Sequence, residues 1–310
     1  MQNVKNVTND DLLEKLQIAI DPKRLFVNEP MAKHTTFKIG GPADFLVFPA
    51  SVDEVAAVFK IAKEYGVPVM ALGNGSNILV RDKGIRAIVV KFSEALGEIR
   101  QDGQTIIAGA GATLTDVSRF AAKCGFTGME FAIGIPGSIG GAVFMNAGAY
   151  DGEMSRVVSA VTAVRQDGRI ERFEGEAIQF GYRNSVFQQN SSIVCEVEMS
   201  LISGNAEAVK AKMSEYTVSR EAKQPLEMPS AGSTFKRPPG YYAGTLIEQS
   251  GLKGYSVGGA QVSEKHAGFV INAGNATAAD VLALISEIQR RVFEKFGVEL
   301  HPEVRIIGEE

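Results

Sequence analysis

The chain's densest concentration of unusual residues is G-I-P-G-S-I-G-G-A-V-F-M-N-A-G-A-Y, Gly134 to Tyr150. It carries five glycines, at 134, 137, 140, 141 and 148, and no Asp, Glu, Lys or Arg. Glycine lets backbone approach a ligand closely and take positive φ. Successive N–H groups in such a turn form an anion cradle without a side-chain cation. The stretch suits a phosphate or pyrophosphate held by main chain; a crowded crossing between strands would need the same glycines. Two more glycine loops precede it, G-N-G-S-N-I-L at Gly73–Leu79 and G-A-G-A at Gly109–Ala112. Each adjoins a predicted strand or helix start, so together they point to a large anionic cofactor held mostly by backbone. None has the G-x-G-x-x-G spacing with an acidic residue about 20 positions on, which disfavours an ordinary Rossmann site, and no P-loop motif occurs. His34, His266 and His301 lack metal-like spacing. Cys124 and Cys195 lie far apart with no second cysteine nearby, which excludes a cysteine zinc site and fits a reducing compartment.

Three side chains outside these loops have chemical potential. Ser233 lies between Gly232 and Thr234 rather than in a G-x-S-x-G elbow, and a serine in a glycine-flanked loop is usually a turn residue. Arg183, between Tyr182 and Asn184 and beside apolar strand-like residues, suits bidentate binding of a carboxylate or phosphate, or plain solvation. Glu303 follows Pro302 in an extended tail, where a surface carboxylate is the simpler reading. Spacing alone does not connect the three.

The elements that must position these residues follow from periodicity and capping. Helices are predicted over Asn9–Ile20, from Ser51 (with Glu54 as a capping box) to Gly66, from Thr113 to Gly125, over Asn205–Lys223 and from Thr277 to Gly297. Strands are predicted over Ala43–Pro49, Val67–Leu72, Ile85–Phe92 and Ser192–Leu201, with hairpins turning at Asp102-Gly103 and Asp167-Gly168. The strand–helix–strand unit before Gly73 ends where open α/β sheets gather ligands. Pro229–Gly240 reads as polar loop, and the last domain boundary falls near Gly204. Hydrophobic content of 45% and charge of 22% are those of a soluble globular protein. A net charge of −4 without a Lys/Arg run argues against nucleic acid or an anionic membrane as partner. The opening residues lack the apolar core of a signal peptide, and no apolar run reaches membrane-spanning length.

Six motifs in one order carry a resemblance. They are G-N-G-S-N-I-L, G-A-G-A, the Gly134–Tyr150 stretch, F-G-Y-R-N-S-V-F at Phe180–Phe187, A-G-S-T-F-K at Ala231–Lys236 and H-P-E-V-R-I-I-G at His301–Gly308. The set resembles the UDP-N-acetylenolpyruvoylglucosamine reductase family from about Lys33 to Gly308. The length is similar to the family's shorter form, which lacks an inserted loop bearing a substrate-contacting tyrosine. The resemblance implies an α+β fold: a vanillyl-alcohol-oxidase-type FAD-binding domain of two subdomains plus a C-terminal α+β substrate domain. The expected spans are 1–92 and 93–202 for the subdomains, 203–300 for the substrate domain, and 301–310 for a tail returning to the flavin site.

It further implies non-covalent FAD, with NADPH as hydride donor. The implied reaction reduces the enolpyruvyl group of UDP-N-acetylglucosamine enolpyruvate to UDP-N-acetylmuramate, in cytoplasmic peptidoglycan precursor synthesis. Hydride adding at C3 builds charge toward the conjugated carboxylate, which calls for a cation and a proton donor. By the family pattern Arg183 and Glu303 polarise that carboxylate, Glu303 protonated because like charge raises a carboxyl pKa. Ser233 delivers the proton to C2. The implied FAD contacts are Gly73, Asn74, Gly75, Ser76, Asn77, Ile78, Gly109, Ala110, Gly111, Gly134, Pro136, Gly137, Ser138, Ile139, Gly140, Asn146, Ala147 and Gly148. Tyr182, Lys236, Arg237 and His266 are the implied substrate contacts, and no metal is expected. Two rival readings are another flavin oxidoreductase of the same fold, acting on a sugar or alcohol, and a non-catalytic nucleotide-binding module.

Overall fold

The computed structural model describes residues 9–310, so the reading of residues 1–8 as part of a leaderless start lies outside the described residues. The chain divides into two compact units. The first comprises the segment ending at Asn28, Asp44–Gly73 and Ala87–Thr217; the second comprises Glu29–Ala43, Asn74–Arg86 and Val218–Glu310.

In the first unit the helix Asn9–Ala19 buries Leu12 and Leu16 in the same apolar cluster as Val55, Val58, Phe59 and Ala62 of the helix Val52–Tyr65. Ser51 caps that second helix by accepting from Glu54 N, and Gly66 ends it in the left-handed conformation that glycine adopts without penalty. Only half of the expected capping box forms. The Glu54 carboxylate turns instead to Arg24, at 2.6 and 2.8 Å, and to Ala50 N at 2.7 Å. These bonds hold its pKa below the usual carboxylate range.

A four-stranded sheet follows the order Leu25–Pro30, Pro42–Val47, Ile85–Lys91, Val69–Leu72. Its last two strands are parallel, with Leu72 opposite Lys91. A five-stranded antiparallel sheet has the order Ile170–Glu174, Val158–Val164, Ile193–Ser200, Thr105–Gly109, Ile99–Asp102. Both expected hairpins are present in it, with Asp102 opposite Thr105 and Val164 opposite Ile170. Its apolar residues share a core with the helices Leu114–Lys123 and Ile139–Met145. The second of these helices corrects the reading of Gly134–Tyr150 as loop throughout. The segment I-G-G-A-V-F-M is helical despite two glycines, because Ile139, Ala142 and Val143 are buried in that core.

In the second unit a four-stranded sheet runs Ser230–Ser233, Phe269–Asn272, Ala260–Val262, Ser256–Val257. Here too a loop expectation is corrected, since Ser230–Ser233 pairs with Phe269–Asn272. The helix Ala278–Phe296 starts with a complete Thr277–Asp280 capping box, ends at left-handed Gly297, and buries Val281, Leu284, Ile285, Ile288 and Val292. Ile78–Val80 and Arg305–Ile307 form a separate parallel pair.

Candidate functional site

Gly73 and the Gly109 and Gly134 loops meet within the first unit. A Cβ at Gly73 would stand 2.2 Å from Ser138 Oγ, and one at Gly140 would stand 2.8 Å from the Cβ of Ala110. Thr113 and Ser138 form an isolated antiparallel bridge, with Leu114 N donating to Gly137 O and Ile139 N to Ala112 O. Gly109 and Gly111 pack onto the backbone at Leu96 and Ser93, where added Cβ atoms would lie 2.3 and 2.1 Å from carbonyl oxygens. Glycine is therefore required here by close approach of main chain to main chain.

That packing uses up donors. Gly109, Ala110, Gly111 and Ala112 donate to the carbonyls of Glu98, Cys195, Leu96 and Gly109. Gly140 N donates to Ala110 O, and Gly141 N is turned to Ser138 Oγ. The Gly109–Ala112 loop therefore has no N–H group left over for a diphosphate. The N–H groups of Gly137 and Ser138, beside Gly73, have no main-chain acceptor among the described residues. A ligand cradle fits there: a glycine-lined turn with two open donors and no acidic side chain.

One cation at this place was missed by sequence reasoning. Lys91 ends the strand I-R-A-I-V-V-K, and its Nζ donates to Gly73 O at 2.9 Å. Burial pushes its pKa down to about 8. The available signal was a lysine closing the apolar run A-I-V-V, on the strand that pairs with the one leading into Gly73.

Downstream, the Gly134–Tyr150 stretch holds Arg183. Gly181–Asn184 is a tight turn in which Arg183 has φ +53°. The Arg183 guanidinium donates to Gly148 O at 3.0 Å and Asn146 O at 3.4 Å, and lies 5.2 Å from the Tyr182 ring centre. Asn146, also left-handed at φ 42°, closes the helix Ile139–Met145 and is 1% exposed. Its amide donates to Gly181 O at 3.0 Å and accepts from Ser155 N at 2.9 Å, so its side chain braces the arginine turn. Ser185 and Gln188 both donate to Phe144 O and anchor the same turn from its other side. Tyr182 is 56% exposed.

The second unit gathers three segments distant in sequence. Glu303 N donates to Thr234 O at 2.8 Å, Lys236 N to His301 O, and Phe235 bridges Pro302. Asn77 joins them: its amide donates to Glu303 O at 3.2 Å, and its own carbonyl accepts from Arg305 N at 2.9 Å. A Cβ at Gly232 would lie 3.8 Å from Ser76 O. Ser233 and Glu303, which spacing could not connect, thus sit on adjoining segments, with Ser233 exposed and Glu303 half-buried. Gly75 (φ +65°) is pressed on the His34 carbonyl, where a Cβ would come within 2.5 Å. Lys236 and Arg237 are exposed, and the Arg237 guanidinium stacks 4.0 Å from the Tyr242 ring centre. His266 is wedged between Gly244 and Gly268, its Nδ1 accepting from Gly268 N at 3.0 Å; burial lowers its pKa.

Residues 43–174 match the FAD binding domain family. The 4-ethylphenol oxidase of Gulosibacter chungangensis superimposes with a TM-score of 0.50 at 14% identity, over 64% of this chain and 44% of its own, a likeness of fold alone. The class is thus that of flavoproteins with a vanillyl-alcohol-oxidase-type FAD-binding domain, joined here to an α+β C-terminal region. Residues 224–307 match the C-terminal domain of UDP-N-acetylenolpyruvoylglucosamine reductase. The enzyme of that name from Caldanaerobacter subterraneus subsp. tengcongensis is 52% identical over 298 residues, 96% of this chain and 98% of its own. The one from Clostridium perfringens strain 13 is 53% identical over 282 residues, 91% and 92% of the two chains. The crystal structure of the Thermus caldophilus enzyme superimposes with a TM-score of 0.77 at 35% identity, covering 91% of this chain and 97% of that one. The chain belongs to the UDP-N-acetylenolpyruvoylglucosamine reductase family of FAD-dependent oxidoreductases.

Proposed function

We propose that this chain reduces the enolpyruvyl group of UDP-N-acetylglucosamine enolpyruvate to UDP-N-acetylmuramate with NADPH, in the cytoplasm, as a step of peptidoglycan precursor synthesis and hence of cell shape and division. The observation that carries the reading is the gathering of Asn77, Ser233 and Glu303 by main-chain pairing in a chain with an FAD-binding domain. FAD, when bound, supplies hydride chemistry between NADPH and C3 of the enolpyruvyl group. Residues of the three glycine loops would hold it, with Gly137 and Ser138 offering open N–H donors and Lys91 a cation.

The remaining chemistry falls to side chains of this chain. Arg183 binds the substrate carboxylate toward which charge builds; an arginine already fixed on two carbonyls needs no reorganisation when that charge appears. Glu303 acts on the same carboxylate. Ser233 gives its hydroxyl proton to C2; it is exposed at the end of a paired strand, so a substrate can reach it. Tyr182, Lys236, Arg237 and His266 contact substrate; all are on the surface except half-buried His266. In domain terms, 1–92 and 93–202 form the two FAD subdomains, 203–300 the substrate domain and 301–310 the returning tail. No nucleic acid or membrane takes part; among the described residues no helix is long and apolar enough to cross a membrane.

The test is NADPH oxidation by the purified holoenzyme with and without the enolpyruvyl substrate. Strong substrate-dependent turnover with one-to-one formation of UDP-N-acetylmuramate is expected. Oxidation that ignores the substrate, or that responds instead to a sugar or alcohol, would remove this assignment.

A further inference from the structure

The FAD diphosphate carries two negative charges, and the Gly109–Ala112 loop commits all four of its N–H groups to carbonyls. The Gly134–Tyr150 stretch has no cationic side chain. Lys91 lies against this cradle from the neighbouring strand. Its ammonium has three donors, and within the protein it spends one, on Gly73 O. Gly73 in turn abuts Ser138, whose N–H and that of Gly137 are the open donors of the loop. We propose that the Lys91 ammonium is the cation of the cofactor cradle, directed at the FAD diphosphate beside Gly73. The inference rests on the reading that the Gly73, Gly109 and Gly134 loops hold FAD.

A purely structural lysine is a poor alternative. Pinning a turn through one carbonyl needs no charge, and a neutral donor would avoid the cost of desolvating an ammonium. That cost is visible: burial alone lowers the Lys91 pKa to about 8, with no carboxylate offsetting it. The facing segments Val69–Gly73 and Gly134–Gly141 contain no titratable residue. The adjoining strand Pro42–Val47 carries Asp44, and the turn after Lys91 carries Glu94; neither enters the shift. A half-buried cation without a carboxylate is poised for an anion that arrives later.

Charge and pinning differ in their response to pH. A deprotonated amine still donates to Gly73 O but no longer attracts a phosphate. Bound diphosphate raises the Lys91 pKa, so FAD affinity is full below about pH 8 and falls as pH rises through that value, by up to tenfold per unit. The test strips FAD from the holoenzyme and titrates the apoprotein with FAD by flavin fluorescence from pH 6.5 to 9.5. Wild type is expected to show this decline. Lys91→Met should bind about tenfold or more weakly at pH 7 with a flat profile, and Lys91→Arg should recover most of the affinity and also stay flat. The flavin midpoint potential should be the same in all three proteins. Lys91→Gln serves if the methionine variant does not fold. Wild-type affinity and pH profile in Lys91→Met would overturn the proposal, as would a loss of affinity with the wild-type slope retained. A shifted potential would move the cation to the isoalloxazine ring and overturn the diphosphate assignment. A wild-type apoprotein that takes up no FAD would overturn the cradle reading itself, whereas the preceding outcomes leave it standing.

Discussion

The two regions that carry the proposed chemistry are built in opposite ways. In the first unit the glycine loops turn inward: backbone packs on backbone, and carbonyls of one loop take the N–H groups of the next. In the second unit Asn74–Ile78, Ser230–Lys236 and His301–Arg305 are tied by their main chains, while Ser233 and Lys236 project to the surface. The first arrangement suits a group that is bound once and kept. The second suits one that must enter and leave at each turnover. Rigid backbone thus serves retention, and exposed side chains on a paired frame serve exchange. Substitutions in one region should therefore leave the other's task intact.

The sharpest break is expected at Ser233. Ser233→Ala removes one hydroxyl from the surface end of a strand and should leave flavin content and flavin reduction by NADPH unchanged. Substrate-dependent reoxidation in single-turnover kinetics should fall by roughly 10²–10⁴, the range for loss of a general acid. Equal slowing of both half-reactions would show that the regions are not separable in this way. Glu303→Gln should share the pattern.

The division also explains what was legible in the sequence. Helix starts at Ser51, Thr113 and Thr277 were readable because capping is a local bond between residues three apart. The hairpin turns at Asp102-Gly103 and Asp167-Gly168 were readable for the same reason. The glycine loops announced themselves by composition, and their order carried the family resemblance. What stayed hidden depends on contacts across long stretches of chain. Ser230–Ser233, S-A-G-S, has no β-branched or aromatic residue and is a strand only because Phe269–Asn272 pairs with it. Ile139–Met145 is a helix through burial in place of propensity. Glu303 looked like a surface carboxylate until Thr234 and Asn77 were placed on its backbone. Lys91 looked like an ordinary strand end, because nothing in I-R-A-I-V-V-K reveals that Gly73 O lies 2.9 Å from its amine.

A middle-sized effect is expected from the cradle itself. In Gly111→Ala the added Cβ would meet Ser93 O at 2.1 Å, a backbone atom with little room to move. Overpacking of this kind costs about 1–3 kcal/mol, and any part of it borne by the bound state weakens FAD by up to about a hundredfold. Flavin content per protein after gel filtration, with apoprotein titration, reads this directly. Once reloaded with excess FAD, the variant should reduce substrate at near wild-type rate. A variant that keeps its flavin would mean that the cofactor does not depend on this loop's close packing.

The smallest effect should fall where the first unit's backbone supports a side chain, at Asn146. Its left-handed φ of 42° makes glycine the replacement that removes the amide without adding backbone strain. Asn146→Gly deletes the bonds to Gly181 O and Ser155 N, each a buried partner worth about 1 kcal/mol. The melting temperature should drop by a few degrees. Because the arginine turn loses its brace while Arg183 keeps its charge, substrate affinity should weaken about tenfold with flavin reduction unchanged. Asn146→Asp retains an acceptor for Ser155 N but places a carboxylate against Gly181 O, so it should bind substrate no better than the glycine variant. A full recovery in Asn146→Asp would show that the amide donor to Gly181 does not set the position of Arg183, and that the glycine stretch supports this turn through main chain alone.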